Sequence, residues 1–222
     1  MNWTIGIITD GTCGNRLREI VDSWKRIMPT CQIVICGPAA NGSDFMDCDY
    51  IPFNEEQGAD AICVKKNKIT RASSADVIAF THDYLVPCSD FFEGFERFGY
   101  DWDVCMTRIA NVDGTRFRDW SLSPEVELPA HRSRERLLPY SYMPDQTKMY
   151  VSGAFWVAKR QTMMDYPLNE DLKWGEGEDV EWSERIMPHV KYVMNGHSTM
   201  KLLKPKRRSF NPIGVDLLGV IA

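Results

Sequence analysis

The chain has 222 residues, 44% of them hydrophobic and 26% charged, with a formal net charge of -5 at pH 7. These proportions exclude wholesale disorder and fibrous repeats, the acidic balance runs against a dedicated nucleic-acid binder with its basic face, and no apolar run reaches the ~20 residues of a membrane helix. The length suits one full-sized core, so a single domain is expected.

In chain order, Thr4-Ile5-Gly6-Ile7-Ile8-Thr9 predicts a buried strand that breaks at Asp10-Gly11-Thr12-Cys13-Gly14. Leu17, Ile20, Val21, Trp24 and Met28 then recur at helical spacing until Pro29. Gln32 to Cys36 reads as a second strand, Asp49 to Phe53 as a short third, and Ala59 to Ala72 as a helix. The strongly apolar Val77-Ile78-Ala79-Phe80-Thr81 is a strand ending at His82-Asp83. Ser89 is placed to cap a helix that buries Phe91, Phe92, Phe95 and Phe98, and Asp103 to Thr107 is another strand. Strands alternating with helices predict a parallel sheet.

Residues 111–147 lose this periodicity and gather four prolines with an Arg-rich patch from Arg132 to Arg136, so they read as a long surface excursion. Tyr150 to Ala158 reads as a strand pair or one bent strand, followed by a loop from Pro167 to Gly177. Glu178 to Met187 is helical by pattern, and Lys191 to Met194 is a final strand before the basic run Lys204 to Arg208. The seven cysteines are odd in number and never spaced Cys-x-x-Cys, so a reducing, cytoplasmic setting is expected. The opening Met1-Asn2-Trp3-Thr4 carries no signal-peptide pattern.

Three places suggest chemistry. Asp83 follows a buried strand, at the sheet edge where open α/β folds bind ligands, and a carboxylate there suits a hard divalent cation. His82 and His197 also follow predicted strands closely, with strand alternation turning His82 away from Asp83. In Trp174-Gly175-Glu176-Gly177-Glu178-Asp179, two adjacent carboxylates stand where a glycine-rich loop becomes a helix, a setting for a catalytic base or for an acidic N-cap.

In combination, Lys65 to Asp83 (with Lys66, Asn67 and the strand into Thr81-His82-Asp83), Ser152 to Arg160 and Trp174 to Arg185 resemble, in order, three motif segments of nucleotide-sugar-dependent glycosyltransferases. The group resembled is the family-2-like, inverting set with the GT-A fold. The resemblance implies one α/β, Rossmann-like domain over 1–222 with a mostly parallel central sheet flanked by helices. It assigns a nucleotide-binding half to about 1–110, an acceptor half to about 111–200 and a tail to 201–222. It further implies a hexosyltransferase-like activity with Asp179 as general base and Glu178 orienting acceptor or base. Thr9, Asp10, Lys66, Asn67, His82, Asp83, Gly153 and Trp174 would contact the donor, a UDP-sugar foremost, and Asp83 with His197 would bind Mn²⁺ or Mg²⁺. The acceptor would be a carbohydrate or another hydroxyl, with nucleic acid open but not favoured.

The chain departs from that pattern in two places. Thr81 stands where the first Asp of Asp-x-Asp is usual, leaving Asp83 as the carboxylate carried over, and Lys66 stands where Arg is common. Two rival readings stand beside the transferase. Gly11 to Leu17 is faintly similar to the glycine-rich signature of sugar nucleotidyltransferases, although its spacing is off by one residue. Alternatively, with Thr81 in place of an acid, the domain binds nucleotide sugars or glycans without turnover.

Overall fold

The computed structural model describes residues 1–38, 44–54, 61–122, 137–141 and 149–205. Its centre is an eight-stranded sheet of order β3-β2-β1-β4-β9-β6-β10-β5. The strands are β1 (Trp3–Ile8), β2 (Gln32–Pro38), β3 (Asp49–Phe53), β4 (Val77–His82), β5 (Leu85–Pro87), β6 (Val104–Ala110), β9 (Phe155–Lys159) and β10 (Tyr192–Leu202). A separate two-stranded sheet pairs β7 (Ser121–Leu122) with β8 (Met149–Tyr150). The helices are α1 (Arg16–Ile27), α2 (Ile62–Ala72), α3 (Phe91–Phe98), α4 (Arg160–Asp165) and α5 (Glu178–Ile186).

Side chains alternate across the sheet, and each face gains its own core. Val77 and Ala79 of β4 join a cluster with Leu17, Trp24, Phe91 and Phe95 from α1 and α3. Ile78 and Phe80 join the opposite cluster with Cys63 and Ile69 of α2, Met163 of α4, and Trp182 and Ile186 of α5. Both faces are therefore covered, as an apolar β4 requires.

The expected α/β domain is present, with a mixed sheet. β3, β2, β1 and β4 run parallel, as do β6 and β10, whereas β9 lies antiparallel between β4 and β6, and β5 is antiparallel to β10 at the edge. Apolar patterning reports burial but not strand direction, so nothing in the sequence separated β9 from a parallel neighbour. The reading also missed β5 and α4 and cut β10 short, because β10 bulges between Asn195 and Thr199 and its pattern lapses there. The helix expected to start on Ser89 has Asp90 at its N-cap, and Asp90 is drawn instead to Arg108 at 3.1 Å and the Thr199 hydroxyl at 2.7 Å. Part of the supposed surface excursion is core, since Phe117, Trp120 and Leu122 are buried. Its Arg132 to Arg136 patch, and the 206–208 part of the basic run, lie outside the described residues. No helix among the described residues is long and apolar enough to cross a membrane.

Candidate active site

β1 and β4 pair in parallel with Ile8 opposite His82, so their C-terminal ends open side by side. There a cavity of about 290 Å³ is lined by Thr9, Asp10, Lys65, Asp83, Tyr84 and Lys204, among others. The Thr9 hydroxyl donates to Asp83 Oδ2 at 2.6 Å, and Lys65 Nζ donates to the Thr9 carbonyl at 2.9 Å. Burial pulls the Asp10 carboxyl upward, but the Thr12 hydroxyl and amide, Lys65 and Lys204 outweigh it and hold it below its usual range. Lys204 stands 4.7 Å over the Tyr84 ring, because the Leu203 amide donates to the Tyr84 carbonyl and ties the end of β10 to this corner. Two ammonium groups and two carboxylates thus share the cavity.

A second cavity of about 650 Å³ adjoins the first, and His82, Tyr84 and Trp174 line both. Glu178 and Asp179, the first two residues of α5, line the second together with Gly153, Ser152, Tyr150 and Arg118. Gly177 caps α5 in the left-handed conformation (φ 79°), which sets the chain direction that turns both carboxylates inward. The Ser183 hydroxyl donates to the Asp179 carbonyl at 2.6 Å and accepts from the Val151 amide at 2.9 Å, fixing α5 to the segment 151–153 between β8 and β9.

The geometry centres on Gly153. Its amide donates to Asp179 Oδ2 at 2.8 Å, while its carbonyl meets Lys66 Nζ at 3.2 Å and His82 Nε2 at 3.0 Å. Asp179 Oδ1 accepts the Val180 amide at 3.0 Å. Lys66 is 1% exposed and sits 4.1 Å over the Trp156 ring. Burial pushes its ammonium down to about 8, against the pull of Glu178 and Asp179. Burial and then Asp179 raise the Glu178 carboxyl above its usual range, with Lys66 and Arg118 opposing.

The structure brings Thr9, Asp10, His82, Asp83, Gly153, Trp174, Glu178 and Asp179 around these two cavities. It does not place Lys66 or Asn67 on either wall: Lys66 lies beneath Gly153, while Asn67 donates to the Leu168 carbonyl at 2.9 Å and to Glu170 at 3.0 Å, anchoring the 167–177 loop to α2. Lys65, one residue earlier, lines the first cavity instead. His82 does face the site, because β4 ends at His82 and alternation no longer governs Asp83. Trp174 is 64% exposed at the mouth of both cavities.

His197 stands apart. It lies in the β10 bulge against α3, so close that a Cβ on Gly94 would be 2.5 Å from its carbonyl, and it lines neither cavity. Thr81 is buried and donates to the His82 carbonyl. Among the described residues no three His, Cys, Asp or Glu side chains gather into a cation cage. Of the two expected ligands only Asp83 lines the cavity, and a lone carboxylate suits a hard cation only where further oxygen ligands complete its shell.

Sequence reasoning missed Lys65, Tyr84, Ser152, Arg118 and Lys204 as cavity residues. Lys65 adjoins the singled-out Lys66, but composition alone did not say which of the two faces the cavity.

No protein-family model matches the chain, and no curated protein is similar to it in sequence. Solved structures do match its fold. GalNAc-T7, crystallised with UDP, GalNAc and Mn²⁺, superposes with a TM-score of 0.65 at 13% identity over 91% of this chain and 44% of that one. TarS 1-349 of S. aureus in complex with UDP gives 0.59 at 10% identity over 91% of this chain and 61% of that one. A second structure of S. aureus TarS 1-349 gives 0.57 at 11% identity over 90% of this chain and 60% of that one. The chain therefore has a GT-A-type fold, and it spans between 44% and 61% of the length of these structures.

Proposed function

We propose that this chain is an inverting glycosyltransferase that moves a sugar from a nucleoside-diphosphate sugar, a UDP-sugar foremost, to an acceptor hydroxyl. The observation that carries this reading is the pair of adjoining cavities, one with Lys65, Lys204 and Asp83, the other with Glu178 and Asp179, joined through His82, Tyr84 and Trp174. The UDP bound in the GalNAc-T7 and TarS structures supports the donor class.

In the proposed step Asp179 takes the proton of the acceptor hydroxyl as that oxygen attacks the anomeric carbon. The bond from that carbon to the diphosphate oxygen breaks, and the departing nucleoside diphosphate keeps the electron pair. Lys65 and Lys204 offset the charge on the departing group. Asp83 would hold Mg²⁺ or Mn²⁺ with diphosphate oxygens, and the cation would supply further charge neutralisation there. Lys66 holds Gly153 and balances the Glu178 and Asp179 pair from beneath. A cytoplasmic location and a carbohydrate acceptor complete the reading.

Product analysis tests it against its rivals. Release of nucleoside diphosphate from a UDP-sugar with Mn²⁺ supports the transferase. Pyrophosphate release from nucleoside triphosphate and sugar phosphate supports a nucleotidyltransferase, and binding without release supports a recognition module.

A further inference from the structure

The proposed reaction leaves the acceptor's chemistry open, and an arginine in the base's cavity bears on it. Arg118 lines the cavity of Glu178 and Asp179 and not that of Asp83. Its Nε is buried without a hydrogen-bond partner, and so is the hydroxyl of Ser152, which lines the same cavity. Arg116, two residues earlier, shows the contrast: it pairs with Asp119 at 2.7 Å and donates to the Leu138 carbonyl at 2.8 Å. Arg118 has no ion pair within 4.0 Å among the described residues and lies 5.5 Å over the Tyr150 ring.

Resting on the transferase reading, we propose that Arg118 and the Ser152 hydroxyl hold an anionic substituent of the acceptor, a carboxylate or a phosphate ester, while Asp179 faces the attacking hydroxyl. Buried donors left unpaired are costly, and small side-chain shifts that turn each toward an anion in the cavity would pair them. The planar guanidinium offers two parallel N–H groups that match a carboxylate or phosphate. The diphosphate has cations of its own, Lys65 and Lys204, in the neighbouring cavity. Glu178 and Asp179 would repel an anionic acceptor from their own cavity, and Arg118 supplies the opposing charge in that cavity.

The test is calorimetric titration of the full chain, saturated with UDP, with methyl glucuronide, glucose 6-phosphate and methyl glucoside. The expected result is binding of one or both anionic probes at least about tenfold tighter than the neutral one. Which probe binds tighter separates carboxylate from phosphate. Arg118→Gln should erase that preference and leave UDP affinity within about twofold, and Ser152→Ala should reduce the preference should the arginine variant fail to fold. Equal affinities for the three probes, or an undiminished preference in a folded variant, would overturn the proposal. So would a tenfold loss of UDP affinity in Arg118→Gln, which would assign the arginine to the diphosphate. Failure of UDP to bind the wild-type chain would sink the transferase reading itself, whereas UDP binding without an anion preference sinks this inference alone.

Discussion

The Gly153 amide donates to Asp179 Oδ2 at 2.8 Å, so the backbone of one residue aims the carboxylate of the other. A Cβ on Gly153 would stand 2.9 Å from that oxygen, closer than real Cβ contacts come, and 3.2 Å from Glu178 Oε1, tighter than most. Gly153→Ala should therefore push both carboxylates off line. Misplacement on the ångström scale costs on the order of 10²-fold in rate. Steady-state kinetics should show that loss in kcat, with the KM for the nucleotide sugar little changed.

Lys66 links pH to activity. Its ammonium is pushed down to about 8 by burial, so above that pH Glu178 and Asp179 lose the cation beneath them. The profile of kcat/KM should fall on an alkaline limb near pH 8. Lys66→Arg keeps its charge at any working pH, and should displace the limb upward.

Glu178 links pH to stability. Burial first, then Asp179, raises its carboxyl above the ordinary value of 4.5 in the folded chain, so the folded state takes up its proton more readily than the unfolded state. That contribution is full below pH 4.5 and is lost as pH rises through the raised value. Glu178→Gln avoids the loss. Thermal unfolding should show a higher midpoint than wild type at pH 8, by ~2–4 °C for each kcal/mol relieved, and the difference should vanish by pH 4. A variant less stable than wild type at pH 8 would contradict this.

Trp174 stands 64% exposed at the mouth of both cavities, and the two glycines that follow it take positive φ, Gly175 at 87° and Gly177 at 79°. As a lid over the donor it should close when a nucleotide sugar binds. Trypsin cleavage after the exposed Lys173 should slow in the presence of donor and be unaffected by it in Trp174→Ala.

Much of the site was readable because its parts lie at strand ends and in one glycine loop. Thr9, Asp10, His82 and Asp83 follow apolar runs whose ends are plain, and Gly175 and Gly177 mark the turn into Glu178 and Asp179. What failed depended on non-local pairing or on register. Lys65 and Lys66 are both buried, and the turn of about 100° per helical residue that sends one to the cavity and the other beneath Gly153 is invisible in composition. Tyr84 and Lys204 meet because β5 folds back onto β10, a contact across most of the chain. His197 looked like a strand-end residue, but the bulge carries β10 on to Leu202 and sets the histidine's backbone against α3 with the residue exposed, away from both cavities. Arg118 sits in an irregular segment with no period to read.

The central claim, that a diphosphate held near Asp83 places its sugar before Asp179, is tested most directly by comparing two variants in one assay. UDP-sugar binding by calorimetry and glycosyl transfer by product release should be measured for Asp83→Asn and Asp179→Asn. Asp83→Asn should lose donor affinity, whereas Asp179→Asn should bind donor like wild type while transfer falls about 10²- to 10⁴-fold. Transfer at the wild-type rate by Asp179→Asn would contradict that claim.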